Sequence, residues 1–337
     1  MGFKRLDAED FVVSSDSVQG TAWSTNQPTL TEFYSNPAQL AGTSGNYYVS
    51  VYQTASTEPN AAIQFDVAYG NSKGSGSLAF NKFFPQYTPS ATSYGQYRTM
   101  ILEDENTNFT YGDGSNTLTP DDFFVISPDR ARYKESIFPG TFNLTLKNNT
   151  STIQLTDNSL DVTVQTFLGS TRVFQIVSGS YGKAYNSTGY EPGSGSYGLL
   201  FPDIGTILLN PSAIEAVIGL TPNRSSTPAS NYFNANLMFT AIKSGESFTM
   251  NSQETITSDF IFCRSRNSEF NYSTNPSFIS GSTGQVAFTN FINNPQVYMT
   301  TVGMYNDANE CIAVAKLSTP LLKDFTKESL IRVKLDF

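Results

Sequence analysis

Apolar and polar residues alternate with a period of two along most of the chain after residue 47, and the closing stretch shows the pattern most plainly. In Ser329-Leu-Ile-Arg-Val-Lys-Leu-Asp-Phe, the side chains of Ile331, Val333, Leu335 and Phe337 fall on one face of an extended chain and those of Arg332, Lys334 and Asp336 on the other, which predicts a half-buried strand. Upstream, Val297-Tyr-Met-Thr-Thr-Val-Gly-Met-Tyr and Cys311-Ile-Ala-Val-Ala-Lys-Leu flank Asn306-Asp-Ala-Asn, whose short polar residues suit a tight loop. The three segments predict a hairpin. A second hairpin is written as Thr141-Phe-Asn-Leu-Thr-Leu-Lys and Thr150-Ser-Thr-Ile-Gln-Leu-Thr around Asn148-Asn149. It continues into Leu160-Asp-Val-Thr-Val-Gln-Thr-Phe and Arg172-Val-Phe-Gln-Ile-Val as a four-stranded meander. Residues 47–53, 62–68, 237–242 and 259–264 supply further strands.

Helices are few and short in this reading. Asn210-Pro-Ser-Ala-Ile-Glu-Ala-Val-Ile-Gly carries a capping residue, Pro at the first helical position and Gly at the end, the punctuation of a two-turn helix. Ser127-Pro-Asp-Arg-Ala-Arg-Tyr-Lys-Glu starts the same way. Residues 70–77, 105–122, 178–198 and 221–236 read as long loops, which inside compact domains are uncommon unless they bind something. The fold class that follows is all-β: antiparallel sandwich or meander domains with long loops and one or two short helices. Residues 1–45 lack periodicity and read as an extended arm, residues 46–220 as one β domain and residues 221–337 as a second.

Composition narrows the function. Charged residues make up only 15% of the 337, well under the usual quarter, and neutral polar and aromatic residues fill the gap, as on surfaces covered by neighbouring subunits. The net charge of -9 argues against a phosphate-backbone partner, so no nucleic acid is expected. No run of 18 apolar residues and no apolar leader follows Met1, so neither a membrane span nor export is expected. The two cysteines, Cys263 and Cys311, lie in apolar segments and read as buried, reduced thiols, with a disulfide as the alternative.

The chain contains no histidine, which removes histidine-dependent nucleophile activation, histidine zinc sites and histidine acid–base catalysis together. No phosphate-cradling glycine loop is present. The acid clusters Glu103-Asp104-Glu105 and Asp121-Asp122 read as solvated turns or helix caps before they read as a catalytic pair. Asp113, Asn116, Asp121 and Asp122 lack the spacing of a twelve-residue calcium loop. The arginine pairs Arg130/Arg132 and Arg264/Arg266 read as structural ion-pair partners. No catalytic residue, cofactor or metal is therefore expected. The candidate contacts for assembly are aromatic: Phe11 and Trp23 on the arm, Tyr190 and Tyr197 in the glycine-rich loop. Trp23 either docks on a partner or packs back on its own domain.

Several phrases resemble virion structural proteins of contractile-tailed phages of marine cyanobacteria. They are Gly2-Phe-Lys-Arg-Leu-Asp-Ala-Glu-Asp-Phe, Arg130-Ala-Arg-Tyr-Lys-Glu-Ser with Pro139-Gly, Gly195-Ser-Tyr-Gly-Leu-Leu-Phe-Pro-Asp-Ile-Gly, Val302-Gly-Met-Tyr-Asn-Asp, and Ala313-Val-Ala-Lys-Leu-Ser-Thr-Pro-Leu. None is a catalytic motif. The resemblance implies a place in a virion, in the tail or baseplate, with connector and capsid-associated roles open, and other virion proteins as partners. The competing class is a carbohydrate-binding β-protein of the tail, for which the 18 tyrosines would provide stacking platforms.

Overall fold

The computed structural model of the chain describes residues 4–37, 47–77, 81–186, 189–225, 231–272 and 275–336, the side chain of Asn231 excepted. Large antiparallel sheets dominate and helices are few, so the fold is all-β in class. It divides into two compact units, residues 18–254 and residues 1–17 with 255–337.

The larger unit is organised on a thirteen-stranded sheet. Its main path runs Thr29–Leu30, Phe248–Thr249, Asn143–Asn148, Ser151–Asp157, Thr171–Ser180, Gly198–Phe201, Thr206–Leu209, Asp122–Pro128, Ile63–Asn71, Tyr48–Tyr52 and Tyr34–Ser35. Helices α1 (Pro89–Leu102), α2 (Arg130–Tyr133), α3 (Pro211–Ile218) and α4 (Asn231–Gly245) belong to this unit. The central strands are covered on both faces, and their sequences follow from that. In Phe123-Phe-Val-Ile, Phe124 and Ile126 join a cluster with Leu144, Leu209, Ile214 and Met238, while Phe123 and Val125 join another with Tyr94, Ile101 and Tyr111. A strand apolar on both faces reads as a continuous run, whereas the peripheral Asn143–Asn148 keeps its alternation. Helix α4 packs on Asn143–Asn148, Ile63–Asn71 and Tyr48–Tyr52, and α1 packs on Ile63–Asn71. Helices, not a second sheet, thus cover this sheet.

Local punctuation behaves as its chemistry dictates at α3. The Asn210 side chain accepts from the Ser212 backbone N–H at 3.1 Å, Pro211 opens the helix, and Gly219 closes it at φ 67°. The hairpin of Asn143–Asn148 with Ser151–Asp157 is present, but Asn148 pairs with Ser151, so the turn residues are Asn149 and Thr150, one position beyond the expected Asn148-Asn149. Asn149 takes the left-handed backbone, φ 52°, that such a turn requires. The expected strand from Leu160 shrinks to Thr166–Leu168, paired with Thr171–Ser180.

A four-stranded sheet runs Phe11–Thr21, Asn251–Ser265 and Ser329–Asp336, with Ser136–Ile137 also paired to its long middle strand; residues 11–17, 255–265 and 329–336 of it belong to the smaller unit, as does a separate two-stranded ribbon of Gln296–Tyr305 with Cys311–Asp324. The short helix α5 of this unit spans Asn290–Asn293. Ile331, Val333 and Leu335 share the inward face, as their alternation predicts, and pack in a small cluster with Ile261, Met304, Val302 and Ala313. Phe337 lies outside the described residues.

Three expectations need correction. The arm is not free: Phe11–Thr21 is a sheet strand, Thr29–Leu30 and Tyr34–Ser35 are the two end strands of the larger sheet, and the apolar Trp23, Leu30 and Phe33 of this segment are buried in the larger core. The part of the expected arm at 38–46 lies outside the described residues. Residues 237–242 are not a strand but the middle of α4, whose buried Asn234, Ala235, Met238, Ala241 and Ile242 recur at helical spacing. The contact-based division falls at 17/18 and 254/255 instead of 45 and 220. Residues 221–254 stay with the larger unit because α4 and Phe248–Thr249 pack and pair there.

Candidate functional site

Of the four aromatic contacts expected from the sequence, the fold leaves Phe11 exposed, at 44%, and Tyr190 half-buried. Trp23 is core. Its indole N–H donates to the Phe248 carbonyl at 2.9 Å, and its ring meets Phe248 edge-on with centroids 4.9 Å apart. Tyr197 is buried too, its hydroxyl donating to Glu191 at 3.3 Å, and burial pushes the phenol up from its ordinary range. Both residues stabilise the larger unit and present nothing to a partner.

Asp121 and Asp122 are held in ion pairs, and Asp104 of the other acid cluster accepts from the Asn106 backbone N–H at 2.8 Å and from the Thr107 hydroxyl. Asp122 is buried at the start of its strand, where it accepts from the Tyr69 hydroxyl at 2.9 Å and from Arg224 Nε at 2.7 Å. Burial pushes its carboxyl up, and the guanidinium and the phenol hydroxyl pull the other way. Arg224 also reaches Glu215 on α3 at 2.8 Å, so one guanidinium ties a loop to a strand and a helix. Asp121 pairs with Lys73. Asp113 and Asn116 instead flank the tight turn of a separate small hairpin, Tyr111–Asp113 with Asn116–Leu118. Among the described residues no group of three or more acids and cysteines is arranged to hold a metal ion. Among the described residues Arg130 forms no ion pair; it donates to the Tyr133 hydroxyl at 3.2 Å and lies over that ring, 5.0 Å from the centroid.

Exposed apolar side chains occur on both units, and on the ribbon of the smaller one they are Tyr298, Tyr305, Ile312, Val314 and Leu321. Met304 pairs with Ala313 and Val302 with Ala315, and these four point into the small core. Gly303 pairs with Val314 and Thr301 with Lys316 on the opposite face. A β-carbon at Gly303 would meet the Tyr305 ring at 2.9 Å, so the hydroxyl-bearing edge of that ring lies over the glycine, whose partner across the ribbon is Val314. Ile312 and Val314 are 66% and 65% exposed, and Tyr298 further along the ribbon is 65% exposed. Cys311 is exposed as well and Cys263 only half-buried, both free. The expectation of two buried thiols fails at Cys311 because it begins a strand outside the inward cluster. No sequence signal separates the ribbon's two faces, since Cys311-Ile-Ala-Val-Ala is apolar on both.

Clefts on the larger unit include two formed by described residues. One, of about 330 Å³, is lined by Tyr47, Tyr87, Pro89, Thr92 and Ser93. The other, of about 570 Å³, lies between the outer face of α4 and the tip of the Asn149-Thr150 hairpin. The sequence reading missed this second cleft because its helix was taken for a loop and a strand.

These features define a two-unit, all-β protein with an apolar face on its smaller unit. Comparison with protein-family models, with curated proteins and with solved structures finds no match. None of the described helices is long and apolar enough to cross a membrane.

Proposed function

We propose that this chain is a non-enzymatic structural subunit of a tailed-phage virion, placed in the tail or baseplate and held there by the smaller unit. The observation that carries the reading is the outward face of the ribbon. Ile312, Val314 and the Tyr305 ring form a contiguous apolar strip on a two-stranded element, where an isolated soluble chain usually carries charge. Exposed strand valines at Val12 and Val13 beside Phe11 add to the apolar surface of the same unit. The low charge content and the virion-like phrases spread over the chain support the same reading. Asp121 and Asp122, one of the two acid clusters in the sequence, are engaged in ion pairs, which supports a structural role for them.

The test is incorporation. Ile312→Lys with Val314→Glu alters two exposed side chains, so the melting transition should stay within about 0.5 kcal/mol of the parent for each change. The doubly substituted chain should fail to enter particles that otherwise assemble. Normal incorporation of this variant would remove the ribbon from the assembly surface.

A further inference from the structure

The larger cleft has a lining whose chemistry selects a ligand class. Helix α4 turns a row of side chains four residues apart into it, Asn236, Thr240 and Ser244, with Phe233 at one end of the row. The opposite wall is the hairpin tip, with Lys147 and Asn149. Phe233 is 53% exposed, an aromatic ring left uncovered on an otherwise well-packed helix whose Met238, Ala241 and Ile242 are fully engaged.

Each polar group in the lining has a defined capacity. The Thr240 hydroxyl donates back to the Asn236 carbonyl at 2.8 Å, so toward the cleft it can only accept. The Asn148 amide nitrogen is committed to the Ile218 carbonyl at 2.9 Å, which fixes the hairpin tip against the end of α3. Asn236 and Asn149 each carry a carboxamide, able to donate and accept side by side. Among the described lining residues the only charges are one of each sign, Lys147 and Glu246, so this lining has no net preference for an anion or a cation. A long apolar ligand would bury these amides and hydroxyls without partners. A ligand with many neutral hydroxyls and patches of C–H surface satisfies the amides, the hydroxyls and the Phe233 ring at once.

We propose that this cleft binds a neutral oligosaccharide, with Phe233 under the apolar face of a sugar ring and Asn236 and Asn149 bonded to its hydroxyls. The volume, about 570 Å³, lies within the range of small-ligand sites. The inference goes beyond the assembly reading and does not depend on it, because every residue used belongs to the larger unit.

The intact chain is titrated with hexasaccharides of glucose, mannose and N-acetylglucosamine by saturation-transfer NMR and calorimetry. A uronate hexasaccharide and a library of extended peptides serve as rival probes. The expected result is saturable binding of at least one neutral hexasaccharide, weakened on the order of tenfold by Phe233→Ala and by Asn236→Ala. Both residues lie outside the core, so neither change should lower the melting temperature, and Tyr87→Ala at the other cleft should leave the affinity as it was. The proposal is overturned if no neutral hexasaccharide saturates, if the uronate or a peptide binds more tightly, or if Phe233→Ala titrates like the parent.

Discussion

Asp66 shows how a single side chain sets a pH dependence in this protein. It lies on Ile63–Asn71 between Ser50 and Ser127 on the neighbouring strands, and one of its carboxylate oxygens is buried with no hydrogen-bond partner. Burial pushes its carboxyl up from the usual range, the Ser50 hydroxyl pulls it back, and the nearby Asp129 adds a like charge that raises it further. With a folded value above the unfolded one, its contribution to stability is fully present below the unfolded value, about 3.9, and is lost as pH rises through the folded value. At neutral pH the ionised group therefore destabilises the fold. Asp66→Asn should melt higher than the parent at pH 7, and the gap should close as pH falls toward 4. An unchanged or lower melting temperature at pH 7 would show that the carboxylate is solvated or paired after all. Asp122 differs in having Arg224 at 2.7 Å, so there the loss of the arginine, not of the acid, is the damaging change.

At the scale of elements, the sequence was most legible where one face is buried and the other wet. The closing strand, the hairpin of Asn143–Asn148 with Ser151–Asp157 and the α3 punctuation could be read from periodicity and turn or cap residues, and the ribbon from its turn residues Asn306-Asp-Ala-Asn. Helix α4 was hidden by composition: Asn231, Asn234 and Asn236 are poor helix formers, and Asn234 is buried as the anchor of a loop, accepting from the Asn223 N–H at 2.7 Å. Helix α1 was hidden by Ser, Thr and Gly in Pro89-Ser-Ala-Thr-Ser-Tyr-Gly, and is held by Tyr94 stacking on Phe123 with centroids 4.8 Å apart. Tertiary packing overrides weak propensity in both cases. The site residues were less legible still, because burial decides whether Trp23 and Tyr197 are anchors or core, and burial is long-range. The small cluster of the closing strand gives an element-scale test. Val333 is among the few fully buried apolar side chains of its unit, so Val333→Asp places a charge against Ile261 and Met304. Amide exchange should lose protection across Asn251–Ser265 and Ser329–Asp336, while Asp122–Pro128 in the larger sheet stays protected. Equal protection in parent and variant would mean that this cluster does not hold the sheet.

At the scale of the molecule, the two units are built differently. The larger one covers its sheet with helices on both faces and buries Phe, Tyr and Trp throughout. The smaller one has a core of a few side chains and leaves Tyr298, Ile312, Val314 and Phe325 in water. On the assembly proposed above, neighbouring subunits would supply the contacts that this unit lacks. Lys316 reports on that surface directly, because it stands opposite Thr301 on the same outward face as Val314. Amine cross-linking of intact particles followed by mass spectrometry would locate its neighbours. The account predicts links from Lys316 to a second polypeptide, lost when the particle is dissociated. A chain absent from purified particles, or a Lys316 linked only within its own chain, would contradict it.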